Sequence, residues 1–261
     1  MNTDFVGGGS DDLAGIIGVR FILLCLLAGW LSACSDRPWN NPYPGSEKER
    51  DILYSSFSEK PKHLDPAQSY SSNEVVITGQ IYEPPLQYHY LERPYTLIPL
   101  VADSMPRPEY FDADGRRLPE DAPVEQIRFS IYDIHIQPGI HYQPHPAFAK
   151  DSSGRFLYHD LSPDMLAGIK KLGDFAETGT RELVADDYVY QIKRLAHPRL
   201  HSPIYGLMTE YIVGLKDYAA TLAAGDRTSD DAESYLDLTR FPLEGAQVID
   251  RYTYRLKIHG S

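Results

Sequence analysis

After Cys34 the sequence contains no cysteine; its two cysteines are Cys25 and Cys34. The rest of the chain can therefore hold no disulfide framework and no cysteine-ligated zinc. Positive charge is also scarce. Lys and Arg number 25 against 37 Asp and Glu, giving a net charge of −12. Nucleic-acid binding needs clustered cations facing phosphates, so no nucleic-acid partner is expected. Long apolar runs are missing too: Phe21–Ala33, FILLCLLAGWLSA, matches a signal-peptide core in length and is too short to span a bilayer comfortably. There is no G-x-S-x-G, no H-E-x-x-H and no cysteine nucleophile after Cys34, which removes the common hydrolase signatures. What remains is 42% hydrophobic and 24% charged over 261 residues, a globular composition with enough chain for a sizeable core or two modest domains.

Arg20 precedes the apolar run, and Leu31-Ser32-Ala33-Cys34 closes it in the form of a bacterial lipobox. On that reading Cys34 is acylated and becomes the new N-terminus. Asp4, Asp11 and Asp12 put negative charge where a signal peptide carries positive charge, so translation is expected to begin at Val19. Residues 1–34 are then a lipoprotein signal peptide. Residues 35–50, rich in Pro, Asn, Gly and Ser, are a flexible tether, and 51–261 form the folded domain. The expected location is the bacterial periplasm or cell envelope, held by lipid.

Along the domain, local signals set expectations for each element. Asp51–Tyr54 reads as a short strand and Asp65-Pro66 as a turn, because proline drives its predecessor out of helical space. Asn73–Tyr82 reads as a helix, with Val76, Ile77, Gln80 and Ile81 at helical spacing, stopped by Pro84-Pro85. Phe111–Arg116 reads as a hairpin turn; its Asp-x-Asp-Gly lacks the later carboxylates of a calcium loop. Ile127, Phe129 and Ile131 alternate, then Ile134 and Ile136 alternate in the other phase, which predicts a bulge or turn near Tyr132-Asp133. Ser162-Pro163-Asp164 opens a helix to about Phe175. Glu182–Pro198 (ELVADDYVYQIKRLAHP) is the strongest pattern. Its helix begins at Ala185-Asp186-Asp187 and carries Val189, Ile192 and Leu195 on one face, with acids at its positive end and Lys193 and Arg194 near its negative end. Ser202-Pro203 caps a further helix through about Ala224, stopping at Gly225, and 224–238 is a surface loop. In Gly245–Gly260 a turn at Asp250-Arg251 separates two strands. His135, His141, His145 and His159 do not make a metal frame. Pro144 and Pro146 forbid a helix through His141 and His145, and strand spacing puts those two too far apart for one ion.

Several of these segments resemble, in order, the motifs of the family 5 extracellular solute-binding proteins, the peptide- and nickel-binding proteins of ABC importers. The Ala185–Arg194 helix resembles that family's T-A-x-D-(F/V)-x-x-(S/T)-x-x-R. Pro61–Pro66 (PKHLDP) resembles P-x-x-L-D-P. Ile81–Leu86 is similar to I-Y-E-x-L, with Pro84-Pro85 in place of Gly-Leu. Leu97–Ser104 is similar to x-P-x-L-A-x-S-W, with Met105 where the family has Trp. Tyr132–Tyr142 resembles Y-T-F-x-L-R-x-G-V-x-W, and Gly245–Gly260 resembles the strand pair V-x-v-x-D-x-y-T-v-x-i-x-L. The departures are Gln143-Pro144-His145-Pro146 in place of x-D-G-x-P and an insertion at about 146–183.

The resemblance implies an α/β fold of mixed α+β lobes, periplasmic-binding-protein-like of type II and incomplete, without the second large lobe and the C-terminal return. It implies a substrate-binding lipoprotein that holds extended oligopeptides in an inter-lobe cleft and delivers them to an inner-membrane ABC permease, with membrane lipid as a further partner through acylated Cys34. Ser69, Tyr70, Ser71 and Ser72 would line that cleft and pair with the peptide backbone. No catalytic residue, cofactor or metal is implied. The alternatives are a carrier of nickel or another small solute, a truncated non-transporting lipoprotein, or a lipoprotein hydrolase, for which no motif speaks.

Overall fold

The structure, a computed structural model, describes Gly45, Asp51, residues 55–227 and residues 235–260. The chain divides into two units, Met1–Ser56 and Phe57–Ser261. Cys34 with its lipobox, the tether apart from Gly45, the strand expected at Asp51–Tyr54 beyond Asp51, and the middle of the acidic loop all lie outside the described residues. In chain order the elements of the second unit are α1 (Ser72–Ile81), β1 (Leu86–Tyr88), β2 (Leu97–Pro99), β3 (Pro108–Phe111), β4 (Phe129–His135), α2 (Pro163–Leu166), α3 (Ala185–Arg194), α4 (Tyr205–Tyr211), α5 (Leu215–Arg227), β5 (Ala246–Asp250) and β6 (Thr253–His259). Helices and strands are mixed, and both sheets are antiparallel. β1 and β2 form a hairpin, and the other four strands are ordered β3-β4-β6-β5. Among the described residues no helix is long and apolar enough to cross a membrane.

One face of the four-stranded sheet makes the core. Ile134 and Ile136, which follow one another on that face, bury with Tyr254 and Ala246 against Ala185 and Val189 of α3 and Leu215, Tyr218 and Leu222 of α5. Tyr188 stacks on Tyr254 with ring centroids 5.3 Å apart and 13° between planes. The other face carries an Asp133–Arg255 fork, with both N–O distances 2.7 Å, on residues directly opposite across β4 and β6.

The phase slip in 127–136 has a different cause from the bulge expected. β4 pairs with β6 without interruption from Phe129↔His259 to His135↔Thr253, and the irregularity falls instead between Val248 and Asp250 of β5. Phe129 and Ile131 occupy the outer face, half-buried, while Ile134 and Ile136 occupy the core face. Both faces are partly covered, so one strand shows two apolar phases.

Three helix expectations change. The helix from Ser162 is one turn, α2, capped as expected by the Ser162 hydroxyl accepting from the Met165 amide at 3.3 Å; a separate 3-10 turn follows at Leu172–Asp174. The helix from Ser202 is two, α4 and α5, because Ile212 leaves the helix to bridge Ile258 and Gly214 takes φ +76°. Gly225 does not stop α5, which runs on to Arg227. In α1, one residue earlier than expected, Val76 is 62% exposed and Ile81 60%, and the buried residue is Glu74.

Candidate functional site

The Asp65-Pro66 turn forms as expected. The Asp65 carbonyl accepts from the Gln68 amide at 2.9 Å and the Ser69 amide at 2.8 Å, and its carboxylate accepts from the Ala67 amide at 3.0 Å. That carboxylate then reaches across 129 positions of sequence to the last residue of α3. Arg194 Nη1 donates to Asp65 Oδ1 at 2.8 Å and Nη2 pairs with Oδ2. Gln191, one turn earlier, accepts from the same Nη1 at 2.9 Å. Burial by itself raises the Asp65 carboxyl, but the hydrogen bonds from Arg194 and Ala67 outweigh it and leave it below its ordinary value. The same pairing raises Arg194. A planar guanidinium matches a carboxylate with two bonds at once, so this contact fixes orientation as well as distance. The turn at Asp65-Pro66 and the C-terminal end of α3 are thereby locked together.

The segment after the turn is shaped by Glu74. One oxygen accepts from the Lys62 amide at 3.0 Å and the His63 amide at 2.8 Å; the other accepts from Tyr70 at 3.0 Å and Ser71 at 3.2 Å. Ser71 is the N-cap of α1 and Glu74 its N3 residue, so the last of these bonds is half of a capping box. The Ser71 hydroxyl donates to Asn73 at 2.6 Å, and the Asn73 amide donates to the Glu59 carbonyl at 3.2 Å. Bonds from the His63 and Tyr70 amides hold the Glu74 carboxyl at about 2 instead of 4.5. A carboxylate depressed in this way contributes stability that is fully present above about pH 4.5 and is lost as pH falls toward 2. Glu182 titrates in the same window, held at about 2 by Arg251, the Gly139 amide and the Tyr252 hydroxyl. Glu74→Gln is therefore expected to flatten the acid limb of the full chain's stability-versus-pH curve without abolishing it, as read from urea unfolding at a series of pH values. An unchanged acid limb would contradict the assignment.

These contacts frame an open cavity of about 530 Å³. Its walls are Glu59, Lys60, Lys62 and His63, Gln68 with Tyr70, Ser71, Asn73 and Glu74, and a loop of Leu200, His201 and Pro203. The Gln68 side-chain amide donates to the Leu200 carbonyl at 2.9 Å and so joins two of the walls. His201 sits in the left-handed region at φ +49°, a conformation that costs a residue other than glycine energy and recurs at binding sites. Ser69 and Ser202, one residue from the lining on each side, have buried hydroxyl oxygens with no partner among the described residues.

Of the four residues expected in the cleft, the structure brings Tyr70 and Ser71 to the cavity; Ser69 turns its hydroxyl inward and Ser72 begins α1. The amides of Ala67 to Ser71 are all engaged internally. The carbonyls of Ser69 and Tyr70 accept no hydrogen bond among the described residues, so the backbone of this stretch offers a ligand acceptors. Glu74 was missed by sequence reasoning, although Ser71 followed three residues later by Glu is the spacing that marks such a cap. A second cavity of about 850 Å³ lies between α3 and the edge strand β5, lined by Asp186, Val189, Lys193, Arg240, Glu244 and Val248 among others.

The histidines are each tied to their own neighbours. His135 Nδ1 lies 2.9 Å from Thr253 Oγ1, His141 Nδ1 2.9 Å from the Gly139 carbonyl, and His159 Nε2 3.0 Å from the Ala147 carbonyl, while His145 Nδ1 accepts from the Ala147 amide at 3.1 Å. Among the described residues no group of three or more His, Cys, Asp or Glu is arranged to hold a metal.

No protein-family model matches the chain, and no curated protein does. Among solved structures it is similar to Listeria monocytogenes OppA bound to peptide, at 14% identity and a TM-score of 0.38, over 75% of this chain and 24% of that one. It is similar in the same degree to the pheromone receptor PrgZ, solved for its mode of peptide binding, at 16% identity and a TM-score of 0.38, again over 75% and 24%. The chain thus spans about a quarter of the length of these two structures. At that TM-score the likeness carries no weight for function.

Proposed function

We propose that the chain binds peptides at the cavity walled by Tyr70 and Ser71, as part of the substrate-binding lipoprotein of an ABC importer. The observation that carries the reading is the Asp65–Arg194 fork. Two segments far apart in the chain, each resembling a motif of one family, are joined by a two-bond ion pair, and Tyr70 and Ser71, just beyond the first, line a cavity. The carbonyls of Ser69 and Tyr70, which accept no hydrogen bond among the described residues, suit an extended peptide, whose backbone amides are donors. No reaction is part of this reading. Capture and release are the whole function, with lipid anchorage at Cys34 and delivery to an inner-membrane permease as its setting, and closure of a second lobe over the ligand as its mechanism. Nickel or another small solute remains the alternative cargo. The experiment that tests the reading places a photo-crosslinking side chain at position 70 of the full chain and looks for captured oligopeptide.

A further inference from the structure

We propose that the tip of the β1–β2 hairpin is a lipid-contacting element, which seats Tyr88, Tyr90, Leu91 and Tyr95 at the headgroup level of a bilayer. The inference goes beyond the peptide reading and uses only its anchorage clause. Leu86–Leu97 reads LQYHYLERPYTL. Tyr90 is 87% exposed and Leu91 76%, and Tyr88, Tyr95 and Leu97 are exposed as well. Three of these side chains form one surface. Tyr88 lies directly opposite Leu97 in the hairpin register, and its ring meets that of Tyr95 edge-on with centroids 5.6 Å apart. Large apolar side chains that are scattered singly over a surface need no explanation, whereas a gathered set marks an interaction.

Lipid fits this tip better than a protein partner does, because much of its directional polarity is taken up within the hairpin. His89 Nδ1 accepts from the Leu91 amide at 3.3 Å and the Glu92 amide at 3.1 Å. Arg93 Nη1 donates to the Tyr90 carbonyl at 3.4 Å and the Glu92 carbonyl at 2.7 Å, and its guanidinium lies over the Tyr95 ring, 4.6 Å from the centroid. The amides of Tyr90 and Arg93 and the Leu91 carbonyl have no partner among the described residues. The tip therefore suits the hydrated headgroup layer and not the hydrocarbon core, where every backbone group must be paired. Tyrosine, an apolar ring with a polar end, concentrates in that layer. Charge allows the same approach. With one Glu and one Arg, 86–97 is neutral on a chain of net charge −12, so it meets a zwitterionic surface without repulsion. On the anchorage reading, a tether of residues 35–50 would reach about 20 Å as a flexible coil. That keeps the domain near the bilayer and lets a weak contact form through effective concentration.

The test places a dansyl-bearing side chain in the full chain in place of Leu91, and in a parallel sample in place of Val248 on the edge strand β5, which is also exposed. Each is mixed with phosphatidylcholine vesicles, with and without a lipid carrying a nitroxide just below the headgroup. At position 91 the emission is expected to shift to the blue and to be quenched by the nitroxide lipid; at position 248 neither change is expected. In the Tyr88→Ser/Tyr90→Ser double variant, which alters two exposed side chains, both changes at position 91 are expected to be lost. Absence of quenching at position 91, or equal quenching at both positions, overturns the inference and leaves the tip to a protein partner. Quenching that survives in the double variant overturns the assignment to the tyrosines. Flotation of the same samples tests anchorage separately. A chain that floats without quenching at position 91 keeps its anchor and loses this inference, and a chain quenched at position 91 that does not float keeps this inference and loses the anchor.

Discussion

Replacing Arg194 by alanine is expected to lower the unfolding free energy of the full chain by about 2–3 kcal/mol and to weaken peptide capture together with it. Breaking a fully buried ion pair costs about 3–5 kcal/mol and an exposed one less than about 1. The Arg194 and Asp65 side chains are 26% and 28% exposed, so the expected loss falls between. Removing Arg194 strands Asp65, whose carboxylate must then resolvate beside the Ala67 amide. It also unties the turn whose carbonyl holds Gln68 and Ser69, and with it the stretch that presents Tyr70. Arg194→Lys keeps the charge but not the fork, and is expected to recover less than half of the loss. The pairwise part is isolated by a double-mutant cycle with Asp65→Asn, read from denaturant unfolding. A coupling energy below about 0.5 kcal/mol would mean that the fork is incidental to the fold.

Gly245→Ala is the second large effect and tests the fold away from the cavity. A Cβ added at Gly245 would lie 2.4 Å from the Val213 carbonyl oxygen, 2.6 Å from Ile212 Cγ2 and 2.8 Å from the Val213 amide nitrogen. Two of these are backbone atoms, and they are held in place: Val213 donates to the Lys257 carbonyl at 3.1 Å, and Lys257 donates to the Gly245 carbonyl at 3.0 Å. The α4–α5 junction, β6 and the residue before β5 meet at this point without room for a methyl group. Overpacking costs about 1–3 kcal/mol, occasionally more, and contact with held backbone atoms puts Gly245→Ala at the upper end of that range. The matched control is Gly79→Ala in α1, where the added Cβ meets nothing within 4 Å and alanine's helix preference stabilises by up to about 1 kcal/mol. Thermal unfolding of both variants decides it. Equal midpoints would contradict the close approach at Gly245.

Which parts of this were legible in the sequence follows from where each signal originates. The Asp65-Pro66 turn and α3 were legible because their causes are local. Proline restricts Asp65, and the acids and bases of α3 sit at the ends that its dipole favours, with Asp187 accepting from the Val184 amide at 2.9 Å as the helix starts. The turn between β5 and β6 was legible for the same reason, although it falls at Arg251-Tyr252, one residue later than expected, and the pairing that starts at Ala246↔Leu256 shifts register before Asp250↔Thr253. The break at Ile212–Gly214 was not, because its cause is the bridge to Ile258, which no local pattern encodes. Nor was the passage of α5 through Gly225, where the space beside the glycine is filled by the Phe241 ring at 3.5 Å from an added Cβ.

At the site, resemblance pointed to the stretch 69–72, of which Tyr70 and Ser71 line the cavity, but not to which groups in it are available. That depended on Glu74, buried at the start of α1 and holding amides from two separate segments. The outward turn of Val75, Val76 and Ile81 has the same origin. α1 is anchored through its buried carboxylate, so its apolar spacing did not indicate a core face.

The most direct test of the central claim is site-specific capture. p-Benzoylphenylalanine is placed in the full chain in place of Tyr70, which is 70% exposed, and in a parallel sample in place of Val248 beside the second cavity. Each is irradiated with a labelled oligopeptide, with and without excess unlabelled peptide. The account predicts an adduct at position 70 that the excess peptide suppresses, and no suppressible adduct at position 248. No suppressible adduct at position 70, or equal capture at both positions, would contradict it.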